Sequence, residues 1–390
     1  MPKFGLDLPD YPWESLAPYR EIAATHPQGV IDLSIGTPID PTPEVIQDAL
    51  RHASDAPGYP TTHGSRELRE AIAQWFSRRR QSPEVNPDGV LPTVGSKEAV
   101  AWLPALLGLG NGDIVVYPRV AYPTYDMGAR LAGAEGIAAD SLEELSAEQR
   151  GRVKLVWINS PGNPTGNVLD KDALAKIVEQ TRQVGAVLAS DECYAELGWG
   201  RWDVQLGGEP VPSLLNPEVN GGSLDGLIAL YSLSKQSNLA GYRAAFMAGD
   251  PSLIEPVLTA RKHAGMIVPA PVQNAMIAAL GDEAHVVEQK GRYRARREVL
   301  RPALTALGLT IEESHAGLYL WGSFTGGDAE PTAQDTWDAV ERFARMGIVV
   351  GPGVFYGKDG DGFVRVALTA SDEDIEAAAA RMHLAEDTRS

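Results

Sequence analysis

A single lysine, Lys235, stands among small polar residues just after the apolar run 227–231. The run has the length of a buried strand, so the lysine falls at a strand end, where an open α/β sheet presents its chemistry. A lysine in that position is either a solvated loop charge or an amine that forms a Schiff base with a carbonyl cofactor. The segment alone does not decide between these two interpretations.

Two further apolar runs also end in polar residues. The run 153–159 leads into Asn163-Pro164-Thr165-Gly166, and the run 186–191 ends at Asp191 with Tyr194 close behind. In a parallel sheet these ends lie on the same edge as Lys235. Each has a structural interpretation as well, because Asn-Pro-Thr-Gly is good turn chemistry, Asp191 can cap the next segment and Tyr194 can be a core aromatic.

An anion site is indicated at Gly95-Ser96-Lys97, immediately before a helical pattern. Free backbone amides at a helix start can point at an anion, and the helix dipole adds to the attraction. Taken singly, the segment can equally be a plain helix start, and Arg243 can be a surface charge. Together with a lysine and a carboxylate at neighbouring strand ends, these residues indicate a phosphorylated cofactor held by Lys235.

The elements that position these groups alternate between strands and helices. Short apolar runs without strict alternation are typical of strands buried on both faces, so the sequence predicts an α/β fold with a mostly parallel sheet between helices. The predicted strands are 113–117, 153–159, 186–191, 227–231 and 244–248. The predicted helices of this part are 43–52, 65–80, 98–109, 122–131 and 170–184.

A different pattern follows beyond residue 270. We expect a long helix at 272–300, kinked near Gly281, and then a smaller α+β domain. Its predicted elements are strands 317–323 and 362–368 and helices 334–346 and 372–382. Since 390 residues exceed the usual size of a single core, we expect two domains. Residues 1–40 form an arm and part of the small domain, 41–270 the large cofactor-binding domain, and 271–390 the small domain with its linking helix.

Composition excludes several classes of function. The net charge of −18 argues against binding to nucleic acid or an anionic membrane, because both need positive patches. Cys193 is the single cysteine, so neither an intrachain disulfide nor a thiolate metal cluster can form, and we expect no metal site. No apolar run approaches the ~18 residues of a membrane span, and residues 1–10 lack a leader pattern. We expect a soluble, cytoplasmic protein.

The motifs resemble those of the fold-type I pyridoxal-phosphate aminotransferases of class I/II over nearly the whole chain. In the family's order, the shared motifs are Tyr59-Pro60 with Gly64, Gly95-Ser96-Lys97, Tyr122-Pro123-Thr124-Tyr125, Asn163 to Gly166, Asp191 with Tyr194, Ser232-x-Ser234-Lys235, Arg243 and Phe363 to Val366. The resemblance implies a large domain with a seven-stranded type of sheet and a smaller α+β domain. It also implies pyridoxal 5'-phosphate as cofactor.

By this resemblance, Lys235 forms the Schiff base, Asp191 pairs with the pyridinium nitrogen, and Asn163 and Tyr194 hold the phenolic oxygen, while Tyr122 stacks on the ring. The implied phosphate contacts are Gly95, Ser96, Lys97, Ser232, Arg243 and, from a second subunit of a homodimer, Tyr59. The implied contacts to the substrate α-carboxylate are Arg365, Asn163 and the backbone of Gly36. An arginine clamp on that carboxylate favours transamination over decarboxylation, although a carbon-sulfur lyase would look similar.

At subfamily level the chain is most similar to actinobacterial N-succinyldiaminopimelate aminotransferases of lysine biosynthesis. The segments that carry this resemblance are 4–13, 59–64 and 351–357. It implies transfer of an amino group from L-glutamate to N-succinyl-2-amino-6-oxopimelate, with 2-oxoglutarate as the other product. The remaining alternatives are another class I aminotransferase of aspartate, aromatic or alanine type, and a regulator that binds the cofactor without turnover. The regulator is disfavoured because neither end carries a basic module.

Overall fold

The computed structural model describes residues 8–324 and 330–387, so part of the 4–13 motif lies outside the described residues. The N-terminal segment contains helix α1 (Ala17–Ala24) and strand β1 (Ile31–Asp32). β1 pairs in parallel with the later strand Ile348–Val349. The beginning of the chain is therefore tied to the C-terminal part of the molecule.

A large α/β region follows. Its elements are α2 (Glu44–His52), α3 (Arg66–Arg80), β2 (Val90–Val94), α4 (Ser96–Leu106), β3 (Ile114–Tyr117), α5 (Thr124–Ala132), β4 (Glu135–Ala138), α6 (Ala147–Arg152), β5 (Val153–Asn159), α7 (Lys171–Val184), β6 (Val187–Asp191), α8 (Pro217–Asn220), β7 (Leu227–Ser232), α9 (Leu233–Gln236), β8 (Ala244–Gly249), α10 (Pro251–Ala264) and α11 (Ala270–Gly281). The seven strands are ordered β2-β8-β7-β6-β5-β3-β4. Only β8 runs antiparallel to its neighbours, which confirms the mostly parallel sheet.

Sequence patterns missed the two outermost strands. β2 contains Pro92, which argues against a central strand but is tolerated at an edge, where one side needs no amide donor. β4 has the sequence Glu-Gly-Ile-Ala and is exposed at both ends, so it lacks an apolar run. Edge strands are covered on fewer sides than central ones, and their composition is correspondingly less distinctive.

The C-terminal part forms a separate antiparallel sheet. Its elements are α12 (Ala284–Ala306), β9 (Thr310–Glu312), β10 (Tyr319–Ser323), α13 (Ala333–Arg345), β11 (Ile348–Val349), β12 (Gly351–Pro352), β13 (Phe363–Ala367) and α14 (Asp372–Asp387). The strand order is β12-β13-β10-β9. The domain boundaries at residues 40 and 270 stay predictions.

The single helix expected at 272–300 is wrong, because the chain forms two helices there. α11 ends at Gly281, and the next residue, Asp282, adopts an extended conformation. Its carboxylate accepts the backbone N–H of His285 at 3.0 Å, which starts α12. The aspartate accepts an amide of the first turn of a new helix instead of continuing the old one, so the predicted kink is a complete break.

Both faces of the large sheet are buried. In β5, Leu155 and Trp157 pack on one side while Val156 and Ile158 pack on the other, which explains the absence of polar alternation. Among the described residues, no helix has the length and hydrophobicity to cross a membrane.

Candidate active site

The carboxyl ends of β5, β6 and β7 lie side by side in the middle of the large sheet and open into a cleft of about 400 Å³. Most of the residues predicted from the sequence line this cleft. They are Gly36, Ser96, Lys97, Tyr122, Asn163, Asp191, Tyr194, Ser232, Lys235, Arg243 and Arg365. Residues separated by more than 300 positions therefore meet at one edge of the sheet.

Two predicted residues are placed differently. Gly95 lies behind the lining, with φ +82°, and a Cβ there would fall 2.1 Å from Nη2 of Arg243. Only glycine lets the guanidinium approach this closely. Tyr59 is fully exposed, with 101% relative accessibility, and does not line the cleft of its own chain. Its predicted role in a second subunit stays a prediction.

The anion-binding end of the cleft is formed by the start of α4 and by two strand-end residues. α4 begins at Ser96, so its first backbone amides have no partner within the helix. Arg243 lines the cleft and gives one donor to the carbonyl of Ala240 at 2.9 Å. Ser232 accepts the N–H of Ser234 at 3.2 Å and caps α9, the short helix that carries Lys235. A helix start beside a guanidinium fits a phosphate.

A buried carboxylate occupies the opposite side. Asp191 is 7% exposed, and its two oxygens accept the hydroxyl of Tyr125 at 3.0 Å and the N–H of Cys193 at 3.2 Å. Burial raises the pKa of Asp191, against the lowering effect of these hydrogen bonds and of the Lys235 charge. No basic side chain in the described ranges lies within ion-pair distance of it. A protonated ring nitrogen is the cation that this carboxylate lacks.

The amine of Lys235 donates to the backbone carbonyl of Gly36. This contact crosses from the large sheet to the N-terminal segment and places the lysine near the cleft centre. Asp191 and Ser232 line the same cleft. The residues present thus fit a phosphorylated pyridine ring whose carbonyl group reacts with Lys235.

Arg365, on β13, is 4% exposed and held by two hydrogen bonds. Nη1 donates to Oδ1 of Asn163 at 2.9 Å and Nη2 to the carbonyl of Ser34 at 2.7 Å. Its Nε is buried and has no hydrogen-bond partner among the described residues. Burial disfavours its charge, but the surrounding phenols, Tyr356 and Tyr319 foremost, raise its pKa above the ordinary value. Arg365 is therefore a fixed cation with donor capacity remaining for a carboxylate.

Two aromatic residues missed by sequence reasoning belong to the site. Tyr319 lines the cleft with its ring 3.9 Å from the Arg365 guanidinium carbon, and its hydroxyl lies 3.4 Å from that of Tyr194. A Cβ on Gly36 would fall 2.0 Å from the Tyr319 oxygen, so this position also requires glycine. Tyr125 holds Asp191, as described above.

The position of Tyr319 beside Arg365 follows only from the register in which β10 pairs with β13. It pairs with Ala367 on β13, which makes it a diagonal neighbour of Arg365 on the same face. Tyr125 did stand in a recognised motif, but sequence reasoning gave it no role. It lies in the first turn of α5 and packs with Trp157 of the sheet, where it is completely buried.

A second group of residues has the types of a catalytic triad but is closed to substrates. Ser237 Oγ lies 2.8 Å from Nε2 of His285, and Nδ1 of the same histidine lies 2.7 Å from Asp282. Ser237 is completely buried. No substrate can reach its hydroxyl, so this Ser-His-Asp chain joins α9 to the start of α12 instead of acting as a nucleophile.

The cleft has the parts of an enzyme that carries a phosphorylated carbonyl cofactor on a lysine. Residues 28–382 match the family described as aminotransferase class I and II, and the chain belongs to this family. It is an aminotransferase, and the family uses pyridoxal phosphate.

Known relatives extend over the whole chain. The 4-dedimethylamino-4-oxo-anhydrotetracycline transaminase OxyQ of Streptomyces rimosus is 53% identical, covering 96% of this chain and 99% of its own. The probable aminotransferase Rv1178 of Mycobacterium tuberculosis is 49% identical, covering 96% and 85%. A solved structure of a probable N-succinyldiaminopimelate aminotransferase from Thermus thermophilus matches with a TM-score of 0.81 and 27% identity, covering 96% and 99%.

Proposed function

We propose that this chain is the N-succinyl-LL-2,6-diaminopimelate:2-oxoglutarate aminotransferase of lysine and diaminopimelate biosynthesis, with glutamate as amino donor. The observation that carries the assignment to α-amino acids is Arg365, a buried and pre-positioned guanidinium facing the same cleft as Lys235. The similarity to the Thermus thermophilus enzyme supports the choice of substrate.

In this proposal the side chains divide the work. Pyridoxal phosphate, when bound, supplies an electron sink for the bond that breaks at the substrate Cα. Asp191 keeps the ring nitrogen protonated, and Asn163 and Tyr194 donate hydrogen bonds to the phenolic oxygen. Tyr122 covers the ring. The amine of Lys235, once free, would take the proton from the substrate Cα as a general base and give it, as a general acid, to the carbon of the cofactor's former aldehyde group.

Phosphate binding falls to the start of α4, to Ser232 and to Arg243 in the proposal. The backbone amides of Ser96 and Lys97 serve the anion, while Gly95 leaves room for the Arg243 guanidinium. The α-carboxylate is bound by Arg365 together with Asn163 and the backbone of Gly36. Because Arg365 is fixed before the substrate arrives, little ordering entropy is lost on binding.

Lys97 favours a substrate with a second anionic group. Its side chain is exposed at the cleft mouth, with Nζ 5.6 Å from the ring centre of Tyr11 and 5.9 Å from that of Tyr122. Within the described part of the chain, no carboxylate forms an ion pair with it. N-succinyl-diaminopimelate carries carboxylates beyond the one assigned to Arg365, and one of them can pair with Lys97.

The active unit in this proposal is a homodimer. Tyr59 is a large aromatic residue with no burial in the single chain. A second subunit that receives Tyr59 near its phosphate site would account for this exposure. A Tyr59→Phe variant should bind pyridoxal phosphate about tenfold more weakly, since one hydrogen bond to a charged group contributes roughly 1.5–3 kcal/mol. Unchanged cofactor affinity would contradict the placement.

A second candidate is transamination of a polycyclic oxo compound. It is favoured by the 53% identity to a transaminase that acts on an anhydrotetracycline. Such an acceptor lacks an α-carboxylate next to its reacting carbon, so the acceptor half-reaction would not depend on Arg365. The amino donor half-reaction would still depend on it.

The deciding experiment uses the purified enzyme with bound cofactor. N-succinyl-LL-diaminopimelate and 2-oxoglutarate are mixed with it, and glutamate formation is followed. We expect catalytic turnover, with a kcat/KM for the succinylated substrate well above those for aspartate, alanine and phenylalanine. Turnover of these amino acids alone would refute the succinyl substrate, and release of ammonia or sulfide from cysteine-type substrates without transamination would favour the lyase.

A further inference from the structure

A second cationic cavity lies apart from the cleft, between α12 and the loop after β9. It has a volume of about 530 Å³ and shares no lining residue with the cleft. We call it the arginine pocket. Its lining includes Arg297, Arg301, Trp199, Glu313 and Ser314.

Three arginines line this pocket, and Arg201 among them pairs with Glu209 at 3.1 Å. The other two, Arg297 and Arg301, lie on α12 and differ from its remaining arginines. Arg292 and Arg294 form ion pairs, and Arg296 has two partners, with Asp40 and Asp372 each at 2.6 Å. Among the described residues, neither Arg297 nor Arg301 has a carboxylate within 4 Å. One helix therefore pairs its structural arginines and leaves these two unpaired.

The lack of a counterion is costly at this position. Arg297 is 9% exposed, and burial together with the Arg301 charge lowers the pKa of Arg297 to about 10. Its hydrogen bonds to the hydroxyl and carbonyl of Ser314, at 2.7 and 2.9 Å, go to neutral acceptors. A guanidinium has five N–H donors, so these bonds leave donor capacity unused.

The acids at the rim are already engaged elsewhere. Glu313 lies 3.2 Å from Nδ1 of His315, and Asp170 accepts the N–H of Ala173 at 2.9 Å as the cap of α7. Neither compensates the two arginines. Two guanidinium groups that face one cavity, with no carboxylate of the described residues ion-paired to either, form a geometry suited to an anion with several acceptor oxygens.

We propose that the arginine pocket binds a small oxyanion, a phosphate or a carboxylate, between Arg297 and Arg301. Arg297 supplies the buried charge, and Arg301 closes the site from the solvent side. The anion removes the repulsion between the two guanidinium groups, which the protein alone leaves uncompensated. The wall formed by Trp199, whose ring centre is 5.8 Å from the Arg297 guanidinium carbon, shields the contact from water.

The pocket is connected to the cleft by backbone hydrogen bonds. Glu313 and Ser314 both have positive φ, 49° and 63°, which is strained for residues other than glycine. Ser314 donates its N–H to the carbonyl of Thr165 at 3.0 Å, and Ala316 donates to Gly166 at 3.0 Å. Through these bonds the loop holds the Asn-Pro-Thr-Gly turn, whose Asn163 accepts a hydrogen bond from Arg365.

The test is isothermal titration of the cofactor-loaded enzyme, in a buffer of low ionic strength, with inorganic phosphate and separately with succinate. The cofactor's own phosphate fills the start of α4, so added phosphate reports on other sites. We expect saturable binding of one phosphate per chain. Succinate should also occupy the carboxylate site of the cleft, so its binding to the arginine pocket is measured in the Arg365→Gln variant. Arg301→Gln, a change at an exposed residue, should weaken it at least about tenfold, as expected for loss of a charged hydrogen bond.

Three further variants identify the site. Arg297→Lys keeps the charge but loses the fork, and should also weaken binding. Arg345→Gln, an exposed helical arginine paired with Glu341, is the matched control and should bind as the wild type does. Arg365→Gln should also leave phosphate binding unchanged, because Arg365 lies in the cleft.

Selective binding of phosphate identifies a phosphate site, and equal binding of succinate a general oxyanion site; either supports the proposal. It is overturned if neither anion binds saturably, if Arg301→Gln and Arg297→Lys both bind like the wild type, or if Arg365→Gln removes phosphate binding.

Discussion

Arg365 and Arg297 are both buried, but their surroundings differ. In the cleft, phenols and two fixed acceptors surround Arg365, and its pKa is raised. In the arginine pocket, Arg297 faces a like charge, and its pKa is lowered to about 10. Burial alone therefore does not define the function of an arginine. The neighbours determine whether its charge is maintained for a substrate that comes and goes or is left in need of a resident anion.

The proposed function confines catalysis to the cleft, and Lys235→Ala is its most severe test. Loss of the amine removes both cofactor attachment and the general base, so kcat should fall by about 10⁴-fold. The visible absorbance of the lysine-bound cofactor should disappear. Lys176→Ala, at an exposed position on α7, is the control. Retention of the absorbance band in the Lys235 variant would contradict the assignment.

Arg365→Gln should have the next largest effect. It removes a charge and its hydrogen bonds to the α-carboxylate, each contributing roughly 1.5–3 kcal/mol, so kcat/KM should fall about 10²–10³-fold. KM should rise for both the amino donor and the oxo acceptor. The same measurement on Arg297→Lys should show less than a tenfold change. Equal losses in the two variants would erase the functional distinction between the two arginines.

For stability, we expect the buried arginine of the arginine pocket to contribute more than the exposed one. Arg297→Ala removes two hydrogen bonds that hold Ser314 in its positive-φ conformation, so the free energy of unfolding should fall by about 1–3 kcal/mol. Urea unfolding measures this change. Arg301→Gln, at an exposed position, should stay within about 0.5 kcal/mol of the wild type. A stability loss in Arg301→Gln as large as that in Arg297→Ala would show that Arg301 is structural.

The smallest effect on stability is expected at Asp40, which pairs with Arg296 on α12, and it is confined to acid pH. Burial raises the pKa of Asp40, but its hydrogen bonds to Arg296 and Gln289 overcome this, and the pKa lies below its ordinary value of 3.8. Below pH 3.8 the unfolded chain therefore binds more protons at this residue than the folded chain does. Stability from Asp40 is complete above that pH and is lost as the pH falls through the folded pKa. In Asp40→Asn, the acid unfolding profile should be flatter below pH 4; an identical slope would contradict the shift.

The sequence predicted the parts of the molecule that depend on local signals. Apolar runs located the five central strands, and polar residues at their ends located Asn163, Asp191 and Lys235 in the cleft. It did not predict the edge strands, since Pro92 and Gly136 carry no strand signal.

Contacts set by tertiary structure were also beyond the sequence. Tyr319 meets Arg365 only through the register of β10 and β13. Arg296 and Arg297 are adjacent in the chain, yet within residues 8–324 and 330–387 Arg296 is paired with two aspartates and Arg297 with none. No local pattern distinguishes them, because their partners come from distant segments.

The sealed chain of Ser237, His285 and Asp282 has a mechanical consequence. Ser237 lies two positions after the lysine, and Asp282 accepts a backbone N–H in the first turn of α12, the helix that leads into the C-terminal sheet. A rotation of that sheet about residues 282–285 would pull directly on the short helix bearing Lys235. The hydrogen bonds would transmit that rotation to α9, so the orientation of the C-terminal part and the position of the Lys235 amine would change together.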